Sequence, residues 1–261
     1  TFDTGLTVRG SGDIGNNVLN IINNGAIRAT DAVNALILDP TGTFTNNGTI
    51  AAEEAAGVQL NGGTFINNGV IRALTGSTFD ADGSGVTLTN SPTGTLAGNG
   101  TITANSSFVN NGTIAPGNSP GTLTLTTAAL VNSDTSVLEI EIAGNGAGLS
   151  DLLLVSGTFD VDGLLKVVFL PGAESLLPGD VITIVDASSL VFSDDVGNAF
   201  DQVISLVGGN FDVIYNQSAG LIQLTNFSDI VPVPEPSGAT LIALGAAGMM
   251  IRRRRGTKRD R

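Results

Sequence analysis

Three observations predict an all-β fold built from stacked coils. A short motif recurs at near-constant spacing, β-forming residues alternate on either side of it, and helix signals are nearly missing before residue 237. The motif is Asn23-Asn24-Gly25-Ala26-Ile27, repeated as Asn46-Asn47-Gly48-Thr49-Ile50, Asn67-Asn68-Gly69-Val70-Ile71 and Asn110-Asn111-Gly112-Thr113-Ile114. The first two steps are 23 and 21 residues, and the third, 43, is two periods. A degenerate copy, Asn90-Ser91-Pro92-Thr93-Gly94-Thr95-Leu96, fills that gap, while Gly98-Asn99-Gly100-Thr101-Ile102 repeats only the turn half.

Each unit reads as strand, turn, strand. Asn-Gly tolerates positive φ and so turns the chain tightly. Thr-Ile, Val-Ile and Phe-Thr beside it are β-formers whose side chains alternate between faces. Phe44, Phe65 and Phe108 precede three copies by two positions, with Ile21 in the first. One unit cannot bury this apolar face alone, but stacked units can, with Phe and Ile piling up inside and equivalent Asn side chains forming amide ladders. A row of Asn-Gly hairpins in a sandwich uses the same residues, yet a fixed ~20-residue period favours parallel coils. Over residues 1–226 the spacing predicts about ten coils in a rod of roughly 50 Å.

From Gly121 the pattern changes but stays β. Strands are expected at Thr122–Thr126, Val137–Ile142, Leu152–Val155, Leu164–Leu170, Val181–Val185, Phe211–Tyr215 and Leu221–Thr225. Val137–Ile142 alternates strictly, placing Glu139 and Glu141 on one face. Gly144-Asn145-Gly146, Asp162-Gly163, Pro171-Gly172 and Pro178-Gly179 supply the turns.

The stretch Ile114-Ala115-Pro116-Gly117-Asn118-Ser119-Pro120-Gly121-Thr122-Leu123 resembles the junction of autotransporter-type passenger domains. Leu138-Glu139-Ile140, Asp151-Leu152-Leu153, Gly163-Leu164-Leu165, Pro178-Gly179-Asp180 and Phe211-Asp212-Val213-Ile214-Tyr215 are similar too. The resemblance covers residues 16–226 and implies a right-handed parallel β-helix. It carries architecture rather than activity. Residues 227–261 are too few for the translocating barrel of a true autotransporter.

Composition narrows the function. The formal net charge is −13. Residues 252–261 alone hold seven basic side chains and one acid. The first 251 residues keep only Arg9, Arg28, Arg72 and Lys166 against 23 acids, a net −19 that repels nucleic acid. The chain has no His, Cys or Trp. Thiol chemistry, Ser-His triads, haem and the usual zinc sites therefore cannot be built from its residues. No cofactor is expected.

The C-terminal segment is distinctive. Val231-Pro232-Val233-Pro234-Glu235-Pro236 is a hinge that excludes helix, and Ser237 can cap a helix starting just after it. Gly238 to Ile251 carries no charge, with Leu241, Ile242, Leu244 and Ile251 as its large aliphatic anchors; Arg252, Arg253, Arg254 and Arg255 end it. As a helix the segment from Ser237 would be about 22 Å long, against the ~30 Å of a bilayer core. Snorkelling arginines and local thinning make a short transmembrane helix feasible, with the arginines held on the cytoplasmic side. Pro-Glu-Pro, a short apolar helix and an Arg cluster, in that order, resemble the PEP-CTERM sorting signal over residues 234–255. The resemblance implies that a membrane-embedded exosortase recognises Pro234, Glu235 and Pro236 after export and processes the tail. It further implies an inner-membrane-tethered intermediate and a final place at the cell surface or in the exopolysaccharide matrix. The organisation expected is a repeat solenoid over 1–120, a passenger-like β region over 121–226, a Pro-rich linker over 227–236, the sorting segment 234–255 and a basic tail 256–261.

Candidate chemistry in the body is thin. Asp80-Ala81-Asp82-Gly83 and Asp160-Val161-Asp162-Gly163 share an Asp-x-Asp-Gly form that offers oxygen ligands to Ca²⁺, but both lack the full acid set of a calcium loop and read first as acidic turns. Asp194-Asp195 is similar to the acid pair of a β-helix glycosidase, with nothing nearby in sequence to raise one pKa. Thr101-Ile102-Thr103 and Thr122-Leu123-Thr124-Leu125-Thr126 suit either an ordinary exposed strand or a flat ice-binding face. The expectation is a non-enzymatic, surface-anchored structural or adhesive protein. Two other classes stay open: a polysaccharide-binding or carbohydrate-active β-helix, and an ice-binding protein.

Overall fold

The computed structural model describes residues 1–104, 107–193, 199–206 and 208–232. Asp194 and Asp195, the Pro234-Glu235-Pro236 motif, the apolar segment and Arg252–Arg255 lie outside the described residues. Among those described, no helix is long and apolar enough to cross a membrane.

The body is an all-β parallel solenoid. Its first turn is β1 (Thr7–Gly10), β2 (Gly12–Ile14) and β3 (Ile21–Asn23). The second is β4 (Ala26–Ala29), β5 (Leu36–Leu38) and β6 (Thr43–Asn46). The third is β7 (Thr49–Ala52), β8 (Val58–Leu60) and β9 (Gly63–Asn67), and the fourth β10 (Val70–Ala73), β11 (Thr78–Ala81) and β12 (Val86–Asn90). Then come β13 (Thr95–Gly98), β14 (Thr101–Ala104) and β15 (Phe108–Asn110), followed by β16 (Thr113–Pro116), β17 (Thr122–Thr126) and β18 (Ala129–Asn132). In the seventh turn β19 (Val137–Ile142) is joined by β20 (Leu152–Asp160), a nine-residue strand that spans two faces. The remainder is β21 (Leu164–Phe169), β22 (Ile182–Val191), β23 (Gln202–Ser205), β24 (Asn210–Asn216) and β25 (Leu221–Ser228).

Every third strand stacks on its predecessor, giving three faces. The first face is one sheet, β1-β4-β7-β10-β13-β16-β19-β21-β23. The second runs β2-β5-β8-β11-β14-β17 and the third β3-β6-β9-β12-β15-β18; the two merge at β20. Parallel pairing passes residue 120 without a break, since β14 pairs β17 and β16 pairs β19. The stack makes about seven turns rather than the ten expected from the repeat. Coil length explains the shortfall: Leu165 pairs Leu138 after 27 residues, Val185 pairs Leu153 after 32, and Val203 pairs Leu165 after 38. At the C-terminal end β25 pairs antiparallel with β22, and β24 with β25. That covers the edge β22 would otherwise leave open.

Three apolar columns fill the interior. Ile27, Ile50, Ile71, Leu96, Ile114, Leu138 and Leu165 lie in register on the first face, all buried. Leu36, Val58, Phe79, Ile102, Leu125 and Val155 do the same on the second. The third holds Ile21, Phe44, Phe65, Leu88, Phe108, Leu130 and Phe159. Phe44 and Phe65 stack at 5.4 Å between centroids and 20° between planes, whereas Leu88 separates Phe65 from the equally buried Phe108.

The expected amide ladder is present and buried. Asn23, Asn46, Asn67, Asn90, Asn110 and Asn132 each donate from Nδ2 to the next, at 2.7–3.0 Å, and Asn132 ends the series on the Asp160 carbonyl at 2.7 Å. The degenerate copy is therefore a full coil. Asn132 stands outside every copy of the motif, although Leu130-Val131-Asn132 echoes Phe108-Val109-Asn110.

One expectation about the motif is corrected. None of Gly25, Gly48, Gly69 and Gly112 has positive φ. Their glycine is required by close approach instead: a Cβ on Gly48 would strike the Gly25 carbonyl, and one on Gly69 the Gly48 carbonyl. Stacked corners leave no room for a side chain.

Candidate functional site

On the first face, side chains alternate inward and outward. One outward column, read rung by rung, is Arg9, Arg28, Ala51, Arg72, Ala97 and Ala115. Glu139 follows one rung further, because Ile114 pairs with Leu138, and then come Lys166 and Ile204. All four basic residues of the first 251 thus share one register position of one face. The six strands β1, β4, β7, β10, β13 and β16 contain no Asp or Glu. Their second outward column is Thr7, Ala26, Thr49, Val70, Thr95 and Thr113, all short side chains.

Arg28 Nε donates to Glu53 Oε1 at 2.7 Å, with the arginine side chain 49% exposed. This contact raises the Arg28 pKa, through the hydrogen bond first and the carboxylate charge second. Lys166 Nζ pairs with Glu139 Oε2 at 2.9 Å. Among the described residues, no carboxylate stands within ion-pair distance of Arg9 or Arg72. Ala51 faces outward between Arg28 and Arg72 yet is only 5% exposed, as expected for a small residue flanked by long arginine stems.

Beyond Arg72 the column forms a slot of about 200 Å³. Ala97 and Ala115 are its floor, Arg72 stands at one end, and Glu139 and Glu141 stand at the other. The strict alternation of β19 places the two glutamates on one face, as the sequence predicted, and the structure makes that face the outward one. Gly117, Asn118 and Ser119, in the loop between β16 and β17, line its side.

Asp151 borders the slot and anchors that loop. Its Oδ1 accepts from Gly121 N at 2.7 Å and its Oδ2 from Glu141 N at 2.8 Å. Burial raises its pKa to about 7; the two amide bonds act in the opposite sense, and the charges of Glu141 and Glu139 add to the rise. With both oxygens held by backbone amides and 1% of the residue exposed, it joins the loop to β19 rather than meeting a ligand. Sequence reasoning missed this group.

The Asp-x-Asp-Gly stretches behave differently from one another. Asp80 Oδ1 accepts from Thr103 Oγ1 at 2.7 Å and from Asp82 N at 3.1 Å, an acidic turn braced by the next coil. The Asp82 pKa is raised by its hydrogen bond with Asp80 and by that neighbour's charge. Asp160 is buried and accepts from Ser193 N at 3.1 Å and Ser193 Oγ at 2.6 Å. Asp162 accepts from Gly163 N at 2.6 Å and gathers with Asp134 and Asp201, their ligand oxygens within 4.8 Å of one another. This second grouping is the better arrangement for a cation. It unites three separate turns, of which the Asp-x-Asp-Gly form marks only the one at Asp162.

Threonines align in short runs. Thr78, Thr101 and Thr124 align on the second face and end at Leu154, with Thr103 beside Thr126; Thr43, Thr64 and Thr87 align on the third, and Thr95 beside Thr113 on the first. None of these runs exceeds three rungs. No protein-family model matches the chain, and no curated protein matches it.

Proposed function

We propose that the chain is an exported, surface-anchored structural or adhesive protein of a bacterial envelope or exopolysaccharide matrix. In this reading the solenoid winds right-handed, as crossovers between parallel strands almost always do, and serves as a non-enzymatic spacer. The observation that carries the scaffold role is the unbroken buried ladder from Asn23 to Asn132. It joins successive coils through side chains as well as backbone and makes a rod stiff without metal or disulfide. The lack of His and Cys, and the commitment of Asp151 to backbone amides, support the absence of catalysis.

Sorting follows from the tail. In this reading Pro232, Pro234 and Pro236, which provide no amide donors, keep the hinge out of any strand or helix and so leave Pro234-Glu235-Pro236 open to an enzyme outside the bilayer. The apolar helix and Arg252–Arg255 hold the intermediate in the inner membrane until an exosortase-type enzyme acts. The test is mass spectrometry of surface-extracted protein from a host with such an enzyme. Surface protein should lack peptides from residues 252–261, and Pro234→Ala with Glu235→Ala and Pro236→Ala should leave an uncleaved form in the inner membrane. Tail peptides on mature surface protein would refute processing.

A further inference from the structure

We propose that the first face of the solenoid, from β1 to β16, docks an acidic polysaccharide laid along the stacking axis. Three observations converge on it. The Arg9, Arg28 and Arg72 side chains project from one column, and no carboxylate lies in any of the six strands of that stretch. The neighbouring outward residues are Thr, Ala and Val, so the surface between the guanidinium groups is low and flat. The rest of the body is strongly acidic. A polyanion is thus turned away from the remainder of the rod and accepted only here.

Geometry favours a linear partner. Rungs are about 4.8 Å apart, which sets the three arginines at roughly 0, 5 and 14 Å along the axis. A small anion meets one guanidinium, whereas an extended chain of carboxylated sugars meets all three. Planar guanidinium forks match carboxylates two bonds at a time; Arg9 and Arg72 have no ion-pair partner among the described residues, while Arg28, its Nε held by Glu53, offers only its remaining nitrogens. The footprint has a built-in end. At the rung of Glu139 two outward glutamates repel the polymer and Lys166 is already paired. The slot over Ala97 and Ala115, with Arg72 at one end and Glu139 and Glu141 at the other, is where the footprint stops. Duplex nucleic acid is the poorer partner, since its charge, one per ~1.7 Å, meets the repulsion of the whole body.

This inference names a partner for the scaffold proposed above and rests on that reading for its biological setting. Its test is made in vitro on purified protein and fails independently of sorting. The probe is a polygalacturonate oligomer, with neutral dextran as comparison, at about 100 mM salt in mild non-ionic detergent. The protein is the full chain with the seven basic residues of 252–261 changed to Gln, so that the tail adds no polyanion contact. Binding of polygalacturonate but not dextran is expected. Arg9→Gln with Arg28→Gln and Arg72→Gln should weaken it at least tenfold, Arg72→Gln alone about threefold, and Lys166→Gln should leave it unchanged. Circular dichroism verifies the fold of each variant, and the single Arg72→Gln decides the matter if the triple variant does not fold. Equal binding of dextran, no binding of polygalacturonate, or full binding by the arginine variants would overturn the proposal. So would concentration-dependent self-association, abolished by the arginine substitutions, without polygalacturonate binding; that outcome would assign the face to a second copy of the chain.

Discussion

Asn46 Nδ2 donates to Asn67 Oδ1 at 2.8 Å and also reaches the Val70 carbonyl at 3.2 Å, so one side chain bonds to both β9 and β10 across the stacked corner. The adjacent exposed ladder runs the other way: Asn68 Nδ2 donates to Asn47 Oδ1 at 3.0 Å, and Asn47 Nδ2 to Asn24 Oδ1 at 2.9 Å. Neighbouring amide dipoles therefore oppose along the axis and partly cancel instead of accumulating.

Removing one buried rung should be costly. Asn67→Ala removes the donor to the Asn90 oxygen and leaves the Asn46 amide only its longer bonds to backbone carbonyls, with a full loss at each buried group of about 1–3 kcal/mol as the upper bound. A total loss of about 2–5 kcal/mol is expected, against less than about 1 kcal/mol for Asn68→Ala in the exposed ladder. Urea unfolding midpoints compare the two. Similar losses would show that burial does not govern the ladder.

The corner glycines separate steric need from conformational need. Gly69→Ala drives a Cβ into the Gly48 carbonyl and should cost about 3 kcal/mol or more, because backbone must shift. Gly76 has φ +77° and open space around it, so Gly76→Ala should cost about 1–2 kcal/mol from the left-handed conformation alone. Thermal midpoints should rank Gly69→Ala as the less stable variant. The reverse order would contradict the packing account.

The aromatic column should accept aliphatic replacement. Phe65→Ala opens a cavity between Phe44 and Leu88 and should cost about 3–5 kcal/mol. Phe65→Leu copies the rung that Leu88 already supplies and should cost about 1–2 kcal/mol. Equal losses in chemical denaturation would mean that ring stacking, not volume, holds the column.

Asp151 imposes a pH dependence of definite sign. Its carboxyl is raised from 3.8 to about 7, so folding favours the protonated form. That contribution is complete below pH 4 and disappears as pH rises through 7, with a limiting slope of about 1.4 kcal/mol per pH unit. Asp151→Asn, neutral throughout, should therefore gain stability relative to the parent between pH 4 and 7. Unfolding midpoints across that window measure the difference; a gap that stays constant with pH would show that Asp151 keeps an ordinary pKa.

Much of the scaffold was legible in the sequence because its signals are local and periodic. Alternation over two residues told which side chains face inward, and the strands at Thr122–Thr126 and Val137–Ile142 coincide with β17 and β19. The recurrence of Asn and Phe announced the ladder and the aromatic column. Three-dimensional pairing alone decided the rest. Arg9, Arg28, Arg72 and Lys166 are separated by 19, 44 and 94 residues, yet they share one column. No fixed period predicts that, because coil length varies from 18 residues at the Leu96–Ile114 step to 38 at Leu165–Val203. The meeting of Asp134, Asp162 and Asp201 and the burial of Asp151 have the same origin. Each depends on which loops lie at one corner once the coils are hydrogen-bonded in register. Backbone pairing between distant rungs fixes that register, whereas residue spacing only suggests it.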